Sequence, residues 1–170
     1  MISEKEKQGM AISADEFRAA MGSWPSGVTI ITARAGEQIH GMTVSDFSGA
    51  SLDPPLALVC AAKSSVTTGV IEEGKCFGVN VLGVDQDAIS NKFASKKDEF
   101  KRFEGLETFS AKTGAPLLSD AIVNLDCRLV AMHDAGDHVL CVGEIEEAEV
   151  RDGEPLLYFR GGYGRFSGKG

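Results

Sequence analysis

Between Gly41 and Ser65 the sequence GMTVSDFSGASLDPPLALVCAAKSS sets small hydroxyls, a proline turn, an apolar strand and a cation in close succession. Thr43, Ser45, Ser48 and Ser51 supply short donors beside backbone amides. Asp53-Pro54-Pro55 forces an extended turn, because each proline fixes its own φ and keeps the residue before it out of the helical region. Leu56 to Ala62 is an unbroken apolar run of strand length, and it ends at Lys63-Ser64-Ser65. A buried strand that delivers a lysine and two hydroxyls at its end suits an anionic ligand. Ser64 or Ser65 can cap a short helix over Val66 to Glu73, whose amides and positive dipole end would face the same place.

Other chemistries lack support. There is no GxGxxG after a strand, no Walker loop, no HExxH and no GxSxG. Gly161-Gly162-Tyr163-Gly164 comes near the dinucleotide fingerprint, but no helix follows it. His40, His133 and His138 are not spaced as a metal cluster, so no metal is expected. Cys60, Cys76, Cys127 and Cys141 form neither a CxxC pair nor a zinc pattern and read as small buried hydrophobes. The formal net charge of −8 works against a nucleic-acid partner. Met1 to Gln8 lacks the apolar core of a signal peptide, and no apolar run approaches the roughly 20 residues of a membrane helix. A cytoplasmic, reduced, metal-free protein with no membrane partner is expected.

The elements that must position these residues follow from periodicity and turn signals. A single domain over 13–166 is expected, with a mobile tail at 1–12 and a short tail at 167–170. Ser13-Ala14-Asp15-Glu16 is a capping box, and Phe17, Ala20 and Met21 give the helix after it one apolar face, ended by Gly22. Val28 to Ala33 and Gln38 to Ser45 read as a hairpin around Ala35-Gly36-Glu37. Cys76 to Leu82 is a strand, and Asp85 a cap for a helix from Gln86 to Phe93. Lys96 to Arg102 reads as a solvated helical face and Gly105 to Asp120 as a loop. Ala121 to His133 alternates apolar residues with Asn124, Asp126 and Arg128, as a half-buried strand does, and pairs with His138 to Val150. Pro155 to Phe159 is the last strand. About seven strands, mostly antiparallel, against three short helices predict a mostly β protein, a barrel with peripheral helices.

Several of these stretches together resemble a known family. They are Phe17-Arg18-x-x-Met21-Gly22, Ser26-Gly27-Val28-Thr29, Gly41-Met42-Thr43-Val44-Ser45-x-Phe47, Ser51-Leu52-Asp53-Pro54-Pro55-Leu56, Phe77-x-Val79-Asn80-Val81-Leu82, Phe93-Ala94, Gly136-Asp137-His138, Gly143-Glu144 with Val150, and Pro155-Leu156-Leu157-Tyr158. In this order they resemble the flavin reductase-like, split-barrel FMN-binding family from Phe17 to about Tyr163. The resemblance implies a Greek-key split β-barrel that forms a homodimer, binds FMN or FAD and oxidises NADH or NADPH. It also implies a flavin-dependent monooxygenase as partner, supplied with reduced flavin. Two alternatives stay open: a protein that keeps FMN tightly bound and transfers electrons, and a reductase of another acceptor such as a corrinoid or a metal complex.

By the same resemblance, Thr43, Val44, Ser45, Asp46, Phe47 and Ser51 should line the flavin. Cys60, Ala61, Lys63, Ser64 and Ser65 should lie near its ribityl and phosphate groups, and Phe93 and Ala94 should close the phosphate side. His138 stands in the family's Gly-Asp-His motif, which faces the nicotinamide, and is the one residue assigned a part in catalysis. Tyr163 should reach that pocket. Asp46 stands where many relatives have serine and brings a negative charge to an anionic ligand. Trp24-Pro25-Ser26-Gly27 replaces the commoner Phe-x-Thr-Gly. Hydride transfer from nicotinamide C4 to flavin N5 asks the protein to stack two rings and to stabilise charge on the flavin, with no obligatory general base.

Overall fold

Residues 12–168 are described by a computed structural model. The expected tail at 1–12 lies outside the described residues except for Ile12, as do the last two residues of the tail at 167–170. Helix α1 (Ala14–Gly22) starts at the capping box. The Ser13 hydroxyl accepts from the Glu16 amide at 3.2 Å, and the Ser13 amide donates to the Glu16 carboxylate at 2.8 Å. Its apolar face is not buried as expected: Phe17 and Met21 are each 55% exposed.

Seven strands make the main sheet. They are β2 (Thr29–Ala35), β3 (Gln38–Val44), β4 (Phe47–Leu52), β5 (Pro55–Ala62), β6 (Cys76–Val81), β9 (Val123–Ala135) and β10 (His138–Val150), in the order β3-β2-β6-β9-β10-β5-β4. Every neighbouring pair is antiparallel. The two edge strands, β3 and β4, are consecutive in the chain and joined only through Ser45 and Asp46, with no ladder between them. A curled sheet whose edges meet at a corner without pairing is a split barrel.

Strands β9 and β10 form the longest hairpin, turning at Gly136, whose φ of +64° suits glycine. Opposite Val142 and Gly143 the register skips Val130, a bulge in β9, and a Cβ at Gly143 would stand 2.4 Å from the Phe77 ring. Outside the barrel, β1 (Ser26–Gly27), β11 (Leu156–Phe159) and β12 (Gly162–Arg165) form a small second sheet. The expected loop from Gly105 to Asp120 instead holds a hairpin of β7 (Thr108–Ser110) and β8 (Pro116–Leu118). Helices α2 (Val66–Gly74) and α3 (Asp87–Ala94) pack on β2 and β3. The count of about seven strands falls short because β1, β4, β7, β8 and β12 are short, polar or glycine-rich and carry no apolar alternation.

Adjacent residues of β2 serve different cores. Ile31 joins Val44, Val59, Phe77, Cys141 and Ile71 of α2, whereas Ile30 joins Leu82, Phe93, Leu118 and Leu156. Only Arg128 of the polar face of β9 is solvated; Asn124 and Asp126 are buried beneath the β7–β8 segment. Asn124 donates to Asn80 Oδ1 at 2.8 Å and accepts from Arg151 at 2.6 Å, while Asp126 accepts from the Thr113 amide at 2.8 Å. Buried polar groups persist when they are paired in this way.

Three local expectations also need correction. Asp85 does not cap α3: Gln86 holds the cap position, and Asp85 pairs with Arg165 at 2.8 Å. Ser65 precedes α2 at its cap, but its hydroxyl donates to Met42 Sδ at 3.1 Å instead of capping the helix. Lys96 to Arg102 contains only a single 3₁₀ turn (Glu99–Lys101), and Arg102 is buried. The four cysteines are unpaired; Cys60 is half-buried and the other three are buried. Among the described residues no helix is long and apolar enough to cross a membrane.

Candidate functional site

The corner where β3 passes into β4 faces α3 and the β11–β12 turn across a cleft of about 320 Å³. Thr43 and Ser45 line it from the corner, Ser90, Asn91 and Ala94 from α3, and Tyr158, Gly161 and Tyr163 from the small sheet. Strand alternation explains the choice at the corner. Met42 and Val44 turn into the barrel core, so the residues between and after them, Thr43 and Ser45, turn outward.

The walls are bonded to each other. The Thr43 hydroxyl donates to the Ser90 carbonyl at 2.6 Å, and the Tyr163 hydroxyl donates to Ser90 Oγ at 2.8 Å and Asn91 Oδ1 at 3.1 Å. The Tyr158 and Tyr163 rings lie 5.6 Å apart. Hydroxyl and amide groups on one side and aromatic faces on the other suit a flat ligand with a polar edge.

Of the residues singled out from sequence, the fold brings Thr43, Ser45, Ala94 and Tyr163 into this cleft. Phe93 lies just beneath it, buried against Phe103 with ring centroids 5.3 Å apart, and holds the wall instead of facing a ligand. Val44 and Ala61 are buried core residues, so toward a ligand they can offer only backbone. Phe47 is half-buried on the core, and Ser51 is exposed opposite Leu56 on the β4–β5 pair. The Asp46 carbonyl accepts from the Cys60 amide at 2.9 Å. Burial pushes the Cys60 thiol up in pKa, and the Asp46 and Asp137 carboxylates add to that shift.

A second group collects where β5 ends and β10 begins. His138 pairs in register with Ala62, its Nδ1 2.7 Å from the Asp137 carboxylate. Lys63 forms an ion pair with Asp134 at 2.9 Å and lines a separate depression of about 470 Å³ with Thr68, Glu72 and Met132. Ser64 is exposed, and Ser65 reaches Met42, the residue beside Thr43 on β3. Thus Lys63, Ser64, Ser65 and His138 do not line the cleft of Thr43 and Tyr163. Ser90, Asn91, Tyr158 and Gly161 escaped the sequence reading. Ser90 and Asn91 precede Phe93-Ala94 by one helical turn, a spacing that signals a shared face.

Residues 21–167 match the family described as flavin reductase like domain. The chain belongs to this family. It is 41% identical over 151 residues to the FMN reductase (NADH) SmoA of Agrobacterium fabrum, covering 89% of this chain and 85% of that protein. It is 35% identical over 154 residues to HsaB, the reductase subunit of a flavin-dependent monooxygenase from Rhodococcus jostii, covering 90% of this chain and 78% of the relative. The solved flavin reductase PheA2 superposes with a TM-score of 0.85 at 32% identity, covering 92% of this chain and all of that one. Within this family the mostly β split barrel is a flavin reductase fold.

Proposed function

We propose that the protein is an NADH-dependent flavin reductase that takes FMN or FAD as a substrate and passes reduced flavin to a separate monooxygenase. The observation that carries this reading is the polar and aromatic cleft at the β3–β4 corner, where the family resemblance puts the flavin. NADH is favoured over NADPH by the SmoA relative, an FMN reductase named for NADH. The monooxygenase partner rests on HsaB, a reductase subunit of such an enzyme.

The donor set fits a flavin. Thr43 and Ser45 meet the polar edge of the ring, Tyr163 and Tyr158 flank it, and Ala94 leaves room beside α3. Lys63, Ser64 and Ser65 serve the phosphate end, where the N-terminus of α2 adds amides, and His138 orients the nicotinamide. When bound, the flavin supplies the hydride-accepting chemistry that no side chain has. The protein's part is to stack the two rings, exclude water between them and present hydroxyl and backbone NH donors to charge that develops on the flavin.

The protein acts as a homodimer. Phe17, Met21 and Trp24 at one end of the chain and Phe159 and Phe166 at the other are exposed aromatic and apolar side chains that a second copy would cover. Four unpaired cysteines suit a reducing, cytoplasmic setting. Steady-state oxidation of NADH and of NADPH, each with no flavin, FMN or FAD, tests the reading. NADH oxidation that saturates with added flavin supports it; flavin-independent oxidation, or none, overturns it.

A further inference from the structure

Arg102 is 5% exposed although it closes a run of charged residues. Its guanidinium donates to the Gly41 carbonyl at 2.7 Å and also to the Ser95 carbonyl. Those two carbonyls belong to opposite walls of the cleft. Gly41 lies on β3 two residues before Thr43, and Ser95 is the C-cap of α3, the residue after Ala94. The walls are close here: a Cβ at Gly41 would stand 2.7 Å from the Phe93 ring.

Among the described residues no carboxylate hydrogen-bonds the cation, and Glu99 is only a long ion-pair partner. Glu99, the nearest acid, stands 3.8 Å from Arg102 and 3.8 Å from Nε2 of buried His40. Arg102 Nε and His40 Nε2 are buried with no hydrogen-bond partner. Burying a cation is costly, and here the bonds it makes in return are two carbonyls on two separate elements. The planar fork gives each carbonyl its own nitrogen, Nη1 to Gly41 and Nη2 to Ser95, whereas a lysine would have to bring one nitrogen within reach of both.

Resting on the reading that flavin occupies the cleft, the geometry points to Arg102 as a positioning residue that fixes the spacing between β3 and α3, and so the width of the flavin site. The hydrogen bonds of Arg102 go to Gly41 and Ser95, which do not themselves line the cleft. It sets where Thr43 and Ala94 stand.

The test compares flavin affinity, by quenching of FMN fluorescence, with steady-state kinetics in folded variants. Arg102→Lys should raise the FMN Kd and the flavin KM about tenfold, while kcat at saturating flavin and the NADH KM stay within about threefold. In Arg102→Ala, added guanidinium should restore much of the lost affinity. Lys92→Met cuts a 2.5 Å bond to the Glu104 carbonyl that ties the same loop to α3 without reaching β3, and should leave affinity unchanged. A folded Arg102→Lys protein that binds FMN like the wild type overturns the role. Where that variant does not fold, Arg102→Ala is read at equal folded fraction, and affinity indifferent to guanidinium overturns it. Ala94→Trp separates the two readings by filling the cleft. Normal FMN binding by Ala94→Trp removes flavin from the cleft and this role with it; lost binding there, with normal binding by Arg102→Lys, removes the Arg102 role alone.

Discussion

The Thr43 hydroxyl donates to the Ser90 carbonyl across 2.6 Å, joining the edge strand β3 to the interior of α3. Ser90 is itself fully buried and accepts from Tyr163 through its hydroxyl, so one helical residue is bonded to both other walls of the cleft.

Replacing Thr43 by valine keeps the shape and deletes the donor. The net loss is about 1 kcal/mol, which lowers Tm by about 2–4 °C for a chain of this size. FMN affinity should fall several-fold along with it, because the wall moves. A thermal melt and an FMN titration check both effects, and a lowered Tm with unaltered affinity would detach Thr43 from the site.

Lys63 is the residue that the phosphate end of a flavin should claim. It is paired with Asp134, whose carboxyl it holds below the usual range by donating a hydrogen bond and by its positive charge. Both side chains are well exposed, so the pair is weak and open to exchange. Lys63→Ala should weaken FMN binding and Asp134→Asn should tighten it, and both effects should shrink as salt is added. Riboflavin, which lacks the phosphate, should respond to neither change; equal responses from FMN and riboflavin would place Lys63 elsewhere.

Gly143 sits on β10 opposite the β9 bulge at Val130, with no room for a side chain. A methyl there would meet the Phe77 ring at 2.4 Å and Cys127 Cβ at 3.0 Å, and Phe77 is itself fully buried. Overpacking of this kind costs about 1–3 kcal/mol. Gly143→Ala should therefore lower the midpoint of urea unfolding without moving the FMN Kd of the folded protein.

His40 gives stability a pH dependence with a defined sign. Its imidazole is 1% exposed, and burial first, then the nearby Arg102 charge, holds its pKa below the usual 6.5, against the opposing pull of Glu99. With the folded pKa lowered, the unfolded chain takes up a proton that the native state refuses. The stabilisation is present above pH 6.5 and is lost as the pH falls below it. Wild-type Tm should drop between about pH 7 and about pH 5 more steeply than that of His40→Gln. Parallel Tm curves for the two proteins would contradict this.

The barrel was legible because its long strands carry the signals that sequence shows well. Leu56 to Ala62 is apolar on both faces, and β9 alternates. Phe47–Leu52 was not legible as a strand: five of its six residues are exposed at a sheet edge, and no apolar period marks it. Asn124 and Asp126 misled for the opposite reason, since their cover comes from a hairpin distant in sequence and their partners are Asn80 and Thr113. Motif resemblance singles out Thr43, Ser45, Ala94 and Tyr163, and one cleft joins them. Ser90 and Arg102 were missed because a serine inside a helix and an arginine in a charge run look solvated until tertiary packing closes over them.

The central claim is that flavin is turned over and released, and anaerobic reduction of excess FMN by NADH tests it most directly. With catalytic amounts of protein, the account predicts loss of the oxidised flavin absorbance for many equivalents of FMN per protein chain, matched one for one by NADH consumed. Reduction that stops after one flavin per chain, with the flavin retained through gel filtration, would contradict it and make the protein a carrier of bound flavin.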